Sequence, residues 1–201
     1  MVIVGITGQS GSGKGYLSAE FAKLGYVHAD ADKIYHTLLE TNGALKQELV
    51  NEFGSDIERD GKIDRKILGK KVLGKKNNRR LQKLNKITHK HVCREYIKMI
   101  IKAKENGDKG FVIDAPLLIE ARLHKLCDVC ICVACSEEIR IERIMNRDKI
   151  DYSAAKLRID SQKPLEFYTS QCELIFIGDG SESAADFVSK TDKTLMGGTN
   201  E

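Results

Sequence analysis

No stretch of this sequence stays apolar for the roughly 18 residues that a membrane-crossing helix needs. No lysine or arginine precedes the apolar start MVIVGITG. The first absence excludes a spanning helix. The second argues against a secretory leader, because the apolar start runs straight into a glycine loop and reads as a first strand. The expectation is a cytoplasmic protein with no membrane partner. A third absence is local: residues 65–94 hold 12 Lys and Arg, yet no Asp or Glu and no aromatic residue. A basic block without aromatics lacks the stacking platform common in single-strand nucleic-acid binders, and nucleic acid is not among the expected partners. Internal repeats and low-complexity linkers are also missing.

What is present is ordinary for a globular protein with a real core: 201 residues, 41% hydrophobic and 31% charged. Net charge is only +4, but outside the basic block 21 basic residues stand against 29 acidic ones. The block reads as a solvated helix face, a nucleic-acid surface or a site that captures a polyphosphate. Four of the six cysteines, Cys127, Cys130, Cys132 and Cys135, crowd into CDVCICVAC. Two C-x-x-C pairs could hold zinc, but zinc knuckles need a dozen or more residues between pairs. The alternative is a buried strand using cysteine as a small apolar residue, with Cys130 and Cys132 on one face and Cys127 pointing away.

Strand-like and helix-like segments alternate. Apolar strands are expected at 2–7, in YVHAD, at 110–116, 128–134 and 172–177. Helices are expected from the glycine loop to Leu24, over 78–104, after Ser136 as N-cap, and after GDGSES. From Asp32 to Ile101 the pattern is helical and charged, too long for one crossover. The resulting fold class is α/β: a parallel sheet in three layers with a helical insertion. The core takes 1–32 and 105–190, with an arginine-rich lid at about 140–162. The insertion takes 33–104, and 191–201 is a frayed tail.

Three constellations carry chemistry. The stretch GQSGSGKG has the glycines and lysine of a phosphate-binding loop between a strand and a helix, except that Gly15 stands where the motif carries Ser or Thr. Its amides and the helix N-terminus suit phosphate, and Lys14 suits the β- and γ-phosphates. Asp30 and Asp32 end the second strand, where open α/β sheets bind ligands; Asp32 could equally cap the next helix. Asp114 ends the FVID strand, from which a carboxylate reaches a metal ion or its waters. Arg140, Arg143 and Arg147 recur at helical spacing, either as a salt-bridged exposed face or as a lid over a transferring phosphoryl group.

In order along the chain, GITGQSGSGKG, HADADKIYHTLL, GSDIERDGKIDRKILGKKVL, ITHKHVCRE, VIDAPLLIEARLHKLCD and RIERIMNRD…AAKLRIDSQKPLE resemble the dephospho-coenzyme A kinase family, of the P-loop, nucleoside-monophosphate-kinase-like class. The likeness covers roughly residues 1–190. It implies ATP-dependent phosphorylation of the ribose 3′-hydroxyl of dephospho-CoA, giving CoA and ADP in the last step of coenzyme A biosynthesis. It makes ATP and dephospho-CoA the partners, Mg²⁺ and ATP the cofactors, and the insertion a CoA domain whose basic block faces the pyrophosphate. Asp32, Lys14 and Arg147 become catalytic. Gly11, Ser12, Gly13, Lys14, Gly15, Tyr16, Arg143 and Arg147 bind ATP; Asp32, His89, Leu117 and Glu120 bind the acceptor; Asp114 holds Mg²⁺ through water. A monomer is expected. The chain departs from the family pattern at Gly15-Tyr16 in place of Ser-Thr, at His89-Lys90 in place of His-Pro, and near Gly178, where the family usually carries Asn. Adenylate kinases carry Gly-Lys-Gly in the same loop, so a direct hydroxyl ligand is dispensable. The alternatives are another small-molecule kinase, or a nucleotide-sensing or RNA-binding module.

Overall fold

β-Branched residues dominate the first segment and favour an extended chain. In a computed structural model, which describes residues 1–72 and 78–197, this segment forms β1 (Val2–Thr7). It is followed by α1 (Lys14–Lys23) and β2 (Tyr26–Asp30). Next come α2 (Ala31–Thr41), α3 (Gly43–Phe53), a short hairpin of β3 (Glu58–Arg59) and β4 (Lys62–Ile63), α4 (Arg65–Val72) and α5 (Asn78–Glu105). The chain then forms β5 (Gly110–Asp114), β6 (Val129–Ala134), α6 (Glu137–Asp148), α7 (Tyr152–Asp160), α8 (Leu165–Thr169), β7 (Leu174–Ile177) and α9 (Ala184–Met196).

Two units emerge, Met1–Asp30 with Ile100–Glu201, and Ala31–Met99. The sequence reading puts the junctions at 32/33 and 104/105; in the structure they fall at 30/31 and within α5. Asp32 therefore belongs to the second unit.

In the first unit the strands form one parallel sheet, ordered β2-β5-β1-β6-β7. Val4 of β1 sits between Val112 and Val129, and Ile6 between Asp114 and Ile131. Every residue of β5 and β6 is buried, which is why both read as continuous apolar runs rather than alternating ones. Leu17 and Phe21 of α1 and Val188 of α9 join this core. The carboxyl end of β1 is a switch point of the strand order, because the chain leaves β1 for β2 on one side of it and later passes from β5 to β6 on the other. Ligands of open α/β sheets bind at such points.

Three expectations need correction in this unit. Residues 191–196 are not frayed: they complete α9, with Thr191 buried, while 198–201 lie outside the described residues. The last strand, expected at 172–177, begins only at Leu174, after helix α8. Cys127 does not point away from Cys130, since it precedes β6 and strand alternation does not reach it. Both thiols flank Gly5, with Cys127 Sγ donating to the Leu123 carbonyl (3.4 Å) and Cys130 Sγ to that of His124 (3.8 Å); the neighbouring Cys130 thiol and then burial push the Cys127 thiol up. All six cysteines are free thiols.

In the second unit, Asn42 caps α3 by accepting from the Leu45 N–H at 2.9 Å, and Leu45, Leu49 and Phe53 turn inward. The expected all-helical stretch 33–104 is interrupted by the hairpin. Asp60 and Gly61 both take positive φ, 49° and 72°, the turn that joins two strands with matching twist. A proline at position 90 would break the hydrogen-bond ladder of α5; Lys90 leaves it continuous and reaches Glu48 of α3 at 2.7 Å. Lys71 and Lys83 likewise pair with Asp56 and Glu52. Part of the basic block is thus neutralised within its own unit; residues 73–77 of it lie outside the described residues.

Candidate active site

The loop after β1 is shaped by what cannot stand there. Gly8 and Gly11 have φ of +138° and +81°, angles that glycine alone adopts readily. A Cβ on Gly8 would lie 2.4 Å from the Val133 carbonyl oxygen, and one on Gly11 2.7 Å from that of Arg140. Gly13, also left-handed, starts α1 without a capping side chain, so the first-turn amides of the helix suit an anion. Lys14 bends back over the loop, its Nζ donating to the carbonyls of Gly8 (2.9 Å) and Gln9 (3.0 Å). The Ser12 hydroxyl is buried there without a hydrogen-bond partner. These features fit a polyphosphate. Gly15 differs, since a Cβ there would meet nothing within 4 Å. Tyr16 is 62% exposed beside it.

Side chains from later in the chain hold the loop. Gln9 donates Nε2–H to the Lys163 carbonyl (2.9 Å) and accepts from Arg140, while the Ser10 amide donates to Gln162 Oε1 (3.0 Å). Gly178 packs so tightly that a Cβ would lie 2.2 Å from the Ser12 carbonyl oxygen. Bare backbone is what this close approach permits.

Beside the loop, Asp114 ends β5 in register with Asp30 of β2. It is only 7% exposed. Ser18, one turn beyond Lys14 on α1, places Oγ 2.9 Å from Asp114 Oδ2, and His28 Nε2 stands 3.5 Å from the same oxygen.

The arginines of α6 diverge. Ser136 caps this helix by accepting from the Ile139 amide. Arg140 is buried, and burial lowers its pKa from the ordinary guanidinium value. Arg143 Nη1 donates to the carbonyls of Gly178 (2.7 Å), Ser12 (3.2 Å) and Gly11 (3.3 Å). Arg147 grips Asp148 with Nε at 2.8 Å and Nη2 at 3.0 Å, and Arg158 of α7 joins the same carboxylate. The hydrogen bond from Arg147, aided by both positive charges, holds Asp148 below the usual carboxylate range.

The structure therefore brings Gly11, Ser12, Gly13, Lys14, Arg143 and Asp114 to one end of the sheet. Leu117 and Glu120 follow β5, both exposed. Neighbouring protein holds the Glu120 carboxyl above its ordinary range, against the pull of Lys163. Asp32 and His89 belong to the second unit. Asp32 is not a helix cap: α2 starts at Ala31, which puts Asp32 exposed in the first turn. Burial lowers the pKa of His89 on α5. Sequence reasoning missed Ser18, His28, Gln9 and Gln162. Ser18 alone left a signal, as a hydroxyl on the face of α1 that otherwise buries Leu17 and Phe21.

A phosphate loop on the central strand of a parallel sheet, with a carboxylate on the neighbouring strand and an arginine-bearing helix behind, defines a P-loop kinase. The family model described as Dephospho-CoA kinase matches residues 2–182. A dephospho-CoA kinase of Carboxydothermus hydrogenoformans is 36% identical over 180 residues, covering 89% of this chain and 86% of that protein. Among solved structures, a protein from Thermus thermophilus matches with a TM-score of 0.80 at 25% identity, covering 99% and 98% of the two chains. The dephospho-CoA kinase from Campylobacter jejuni matches with a TM-score of 0.65 at 26% identity, covering 98% of each. The chain belongs to the dephospho-CoA kinase family.

Proposed function

We propose that this protein transfers the γ-phosphoryl group of ATP to the ribose 3′-hydroxyl of dephospho-CoA, releasing CoA and ADP. The observation that carries the reading is a family match over residues 2–182 on a chain whose glycine loop is built to cradle phosphates. The amides from Gly11 to Tyr16 hold the phosphate oxygens. Lys14 exchanges its carbonyl partners for the β- and γ-phosphates. Asp32 orients the acceptor hydroxyl and takes its proton, which makes a weak nucleophile reactive. Arg147 neutralises the equatorial oxygens of the transferring group, and Arg143 keeps the loop in shape behind it. His89, Leu117 and Glu120 hold the acceptor.

A divalent cation fits through oxygen alone. Among the described residues no group of three His, Cys, Asp or Glu side chains offers a protein cage. Mg²⁺ keeps several waters and takes one or two carboxylates plus phosphates. Asp114, through water, is the residue that would hold it, and the ion would supply charge neutralisation across the β- and γ-phosphates. ATP and dephospho-CoA are then the partners of a monomeric cytoplasmic enzyme. Among the described residues no helix is long and apolar enough to cross a membrane.

The test is ADP release with dephospho-CoA, AMP, a sugar acid or no acceptor in parallel wells. Dephospho-CoA alone should raise release above the acceptor-free rate. An equal or larger response to AMP or the sugar acid would overturn the assignment.

A further inference from the structure

Most of the Asp114 carboxylate is out of water, and one of its oxygens has two named neighbours. Ser18 Oγ lies 2.9 Å from Oδ2, and His28 Nε2 lies 3.5 Å from the same atom. Ser18 is itself fully buried, and its Oγ also lies 3.0 Å from the Lys14 carbonyl. A hydroxyl has one proton to give, and an ionised carboxylate is the stronger acceptor. The ordinary role of a serine inside a helix is to bond back to the carbonyl four residues earlier. Here that bond competes with a buried carboxylate carried in on β5, ninety-six residues away in sequence.

Position matters as much as distance. Ser18 is on α1, the helix that begins with Lys14 and carries Gly15 where the loop motif has its metal-contacting hydroxyl. We propose that Ser18 is a positioning residue for metal use: its hydroxyl fixes one oxygen of Asp114 and so sets the orientation in which the carboxylate meets the cation's waters. The loop hydroxyl missing at Gly15 is thereby replaced by one acting a turn later, through Asp114. The inference rests on Asp114 being the metal-side carboxylate. Partners that orient a ligand without touching the metal are typically worth 10–100-fold in metal affinity or activity.

The experiment compares wild type, Ser18→Ala, Ser18→Thr, Asp114→Asn and the Ser18→Ala/Asp114→Asn pair. Two readouts are taken on each: the Mg²⁺ concentration for half-maximal turnover, and the ATP dissociation constant by calorimetry with Mg²⁺ and with EDTA. Ser18→Ala should raise the Mg²⁺ requirement roughly 10-fold. It should shrink the advantage of Mg²⁺-ATP over metal-free ATP by a similar factor, leaving metal-free binding unchanged. Ser18→Thr, which keeps the hydroxyl, should restore both, and the pair should be no worse than Asp114→Asn alone. If Asp114→Asn shifts the Mg²⁺ dependence and Ser18→Ala does not, the Ser18 proposal fails while the role of Asp114 stands. A Ser18→Ala protein that melts earlier with normal Mg²⁺ dependence refutes it equally, because Ser18 is then only packing. If Asp114→Asn changes neither readout, the reading of Asp114 itself is wrong and the proposal falls with it.

Discussion

At its start and middle, α6 turns Arg140 and Arg143 onto the glycine loop; at its last turn it holds Arg147 against Asp148, with 58% of the Arg147 side chain exposed. The three arginines share a residue type and a helical spacing but not an environment. At the root, Arg143 satisfies backbone carbonyls of Gly11, Ser12 and Gly178, and Arg140 holds the side-chain oxygen of Gln9. At the tip, Arg147 and Arg158 converge on one carboxylate, that of Asp148, which the phosphates of the proposed reaction would displace. The same helix thus supports the glycine loop with one end and, at the other, sets the exposed Arg147 on a carboxylate shared with Arg158 of α7. Exposed ion pairs contribute little to stability, so removing the tip should cost rate, whereas removing the root should cost structure.

The largest expected effect sets the scale for that contrast and lies outside α6. Asp32→Asn keeps the size of the side chain but cannot take a proton, so kcat should fall by roughly 10²–10⁴-fold. A mere first-turn charge would be worth only about 0.3–1 kcal/mol of stability, with rate untouched. Measuring kcat and melting temperature on one preparation separates the two.

Within α6, Arg147→Ala should lower kcat by about 10²–10³-fold, as expected for loss of one preorganised donor to the transition state, with the melting temperature nearly unchanged. Arg143→Ala should do the reverse. Losing hydrogen bonds from a charged donor costs about 2 kcal/mol, or roughly 4–8 °C in a chain of this size. The ATP KM should rise as the loop loosens, with kcat less affected than in Arg147→Ala. A stable Arg143→Ala enzyme with collapsed kcat would show that both arginines act on the reacting phosphates, and the contrast would be lost.

How much of this was legible in the sequence depends on whether the signal was local. The loop was, because glycines at fixed offsets between a strand and a helix have few other uses. Strands β5 and β6 announced themselves as uninterrupted apolar runs, and Ser136 as a cap before two glutamates. The hairpin at 58–63 is masked although Asp60-Gly61 is a strong turn signal, because the flanking pattern is charged and its strands are two residues each. What could not be read were pairings over long separations. Nothing in GYLSAEF says that Ser18 meets Asp114, and nothing in the arginine spacing says that Arg143 faces carbonyls while Arg147 faces a carboxylate. Cys127 resists reading for a related reason: it stands two residues before β6, where strand alternation no longer fixes its direction.

A smaller effect tests the tip. Arg147 and Arg158 depress the pKa of Asp148 in the folded protein, so this carboxylate contributes stability while it is ionised. The contribution is present above the unfolded value of about 3.9 and is lost as pH falls through the lower folded value. Asp148→Asn should therefore melt slightly below wild type at pH 6, and the gap should close below about pH 4. A gap that widens in acid would assign the stabilisation to some other group.

The smallest effect is expected at Gly15, and it separates glycines the fold requires from one it merely contains. Gly8 and Gly11 sit at positive φ against backbone oxygens, so any side chain there rebuilds the loop. Gly15 lies in the first turn of α1, exposed, with open space where a Cβ would stand. Serine there needs no rearrangement, and replacing glycine within a helix removes a conformational-entropy cost of roughly 0.5–1 kcal/mol, with serine recovering part of it. Gly15→Ser should fold, melt at or slightly above the wild-type temperature, and need the same or less Mg²⁺ for half-maximal rate. The same substitution at Gly11 should weaken ATP binding and lower the melting temperature together. If Gly15→Ser instead raised the Mg²⁺ requirement, the open space at Gly15 would have to be reserved for something a hydroxymethyl group obstructs, and the account of metal use through Asp114 and water would have to be redrawn around that obstruction.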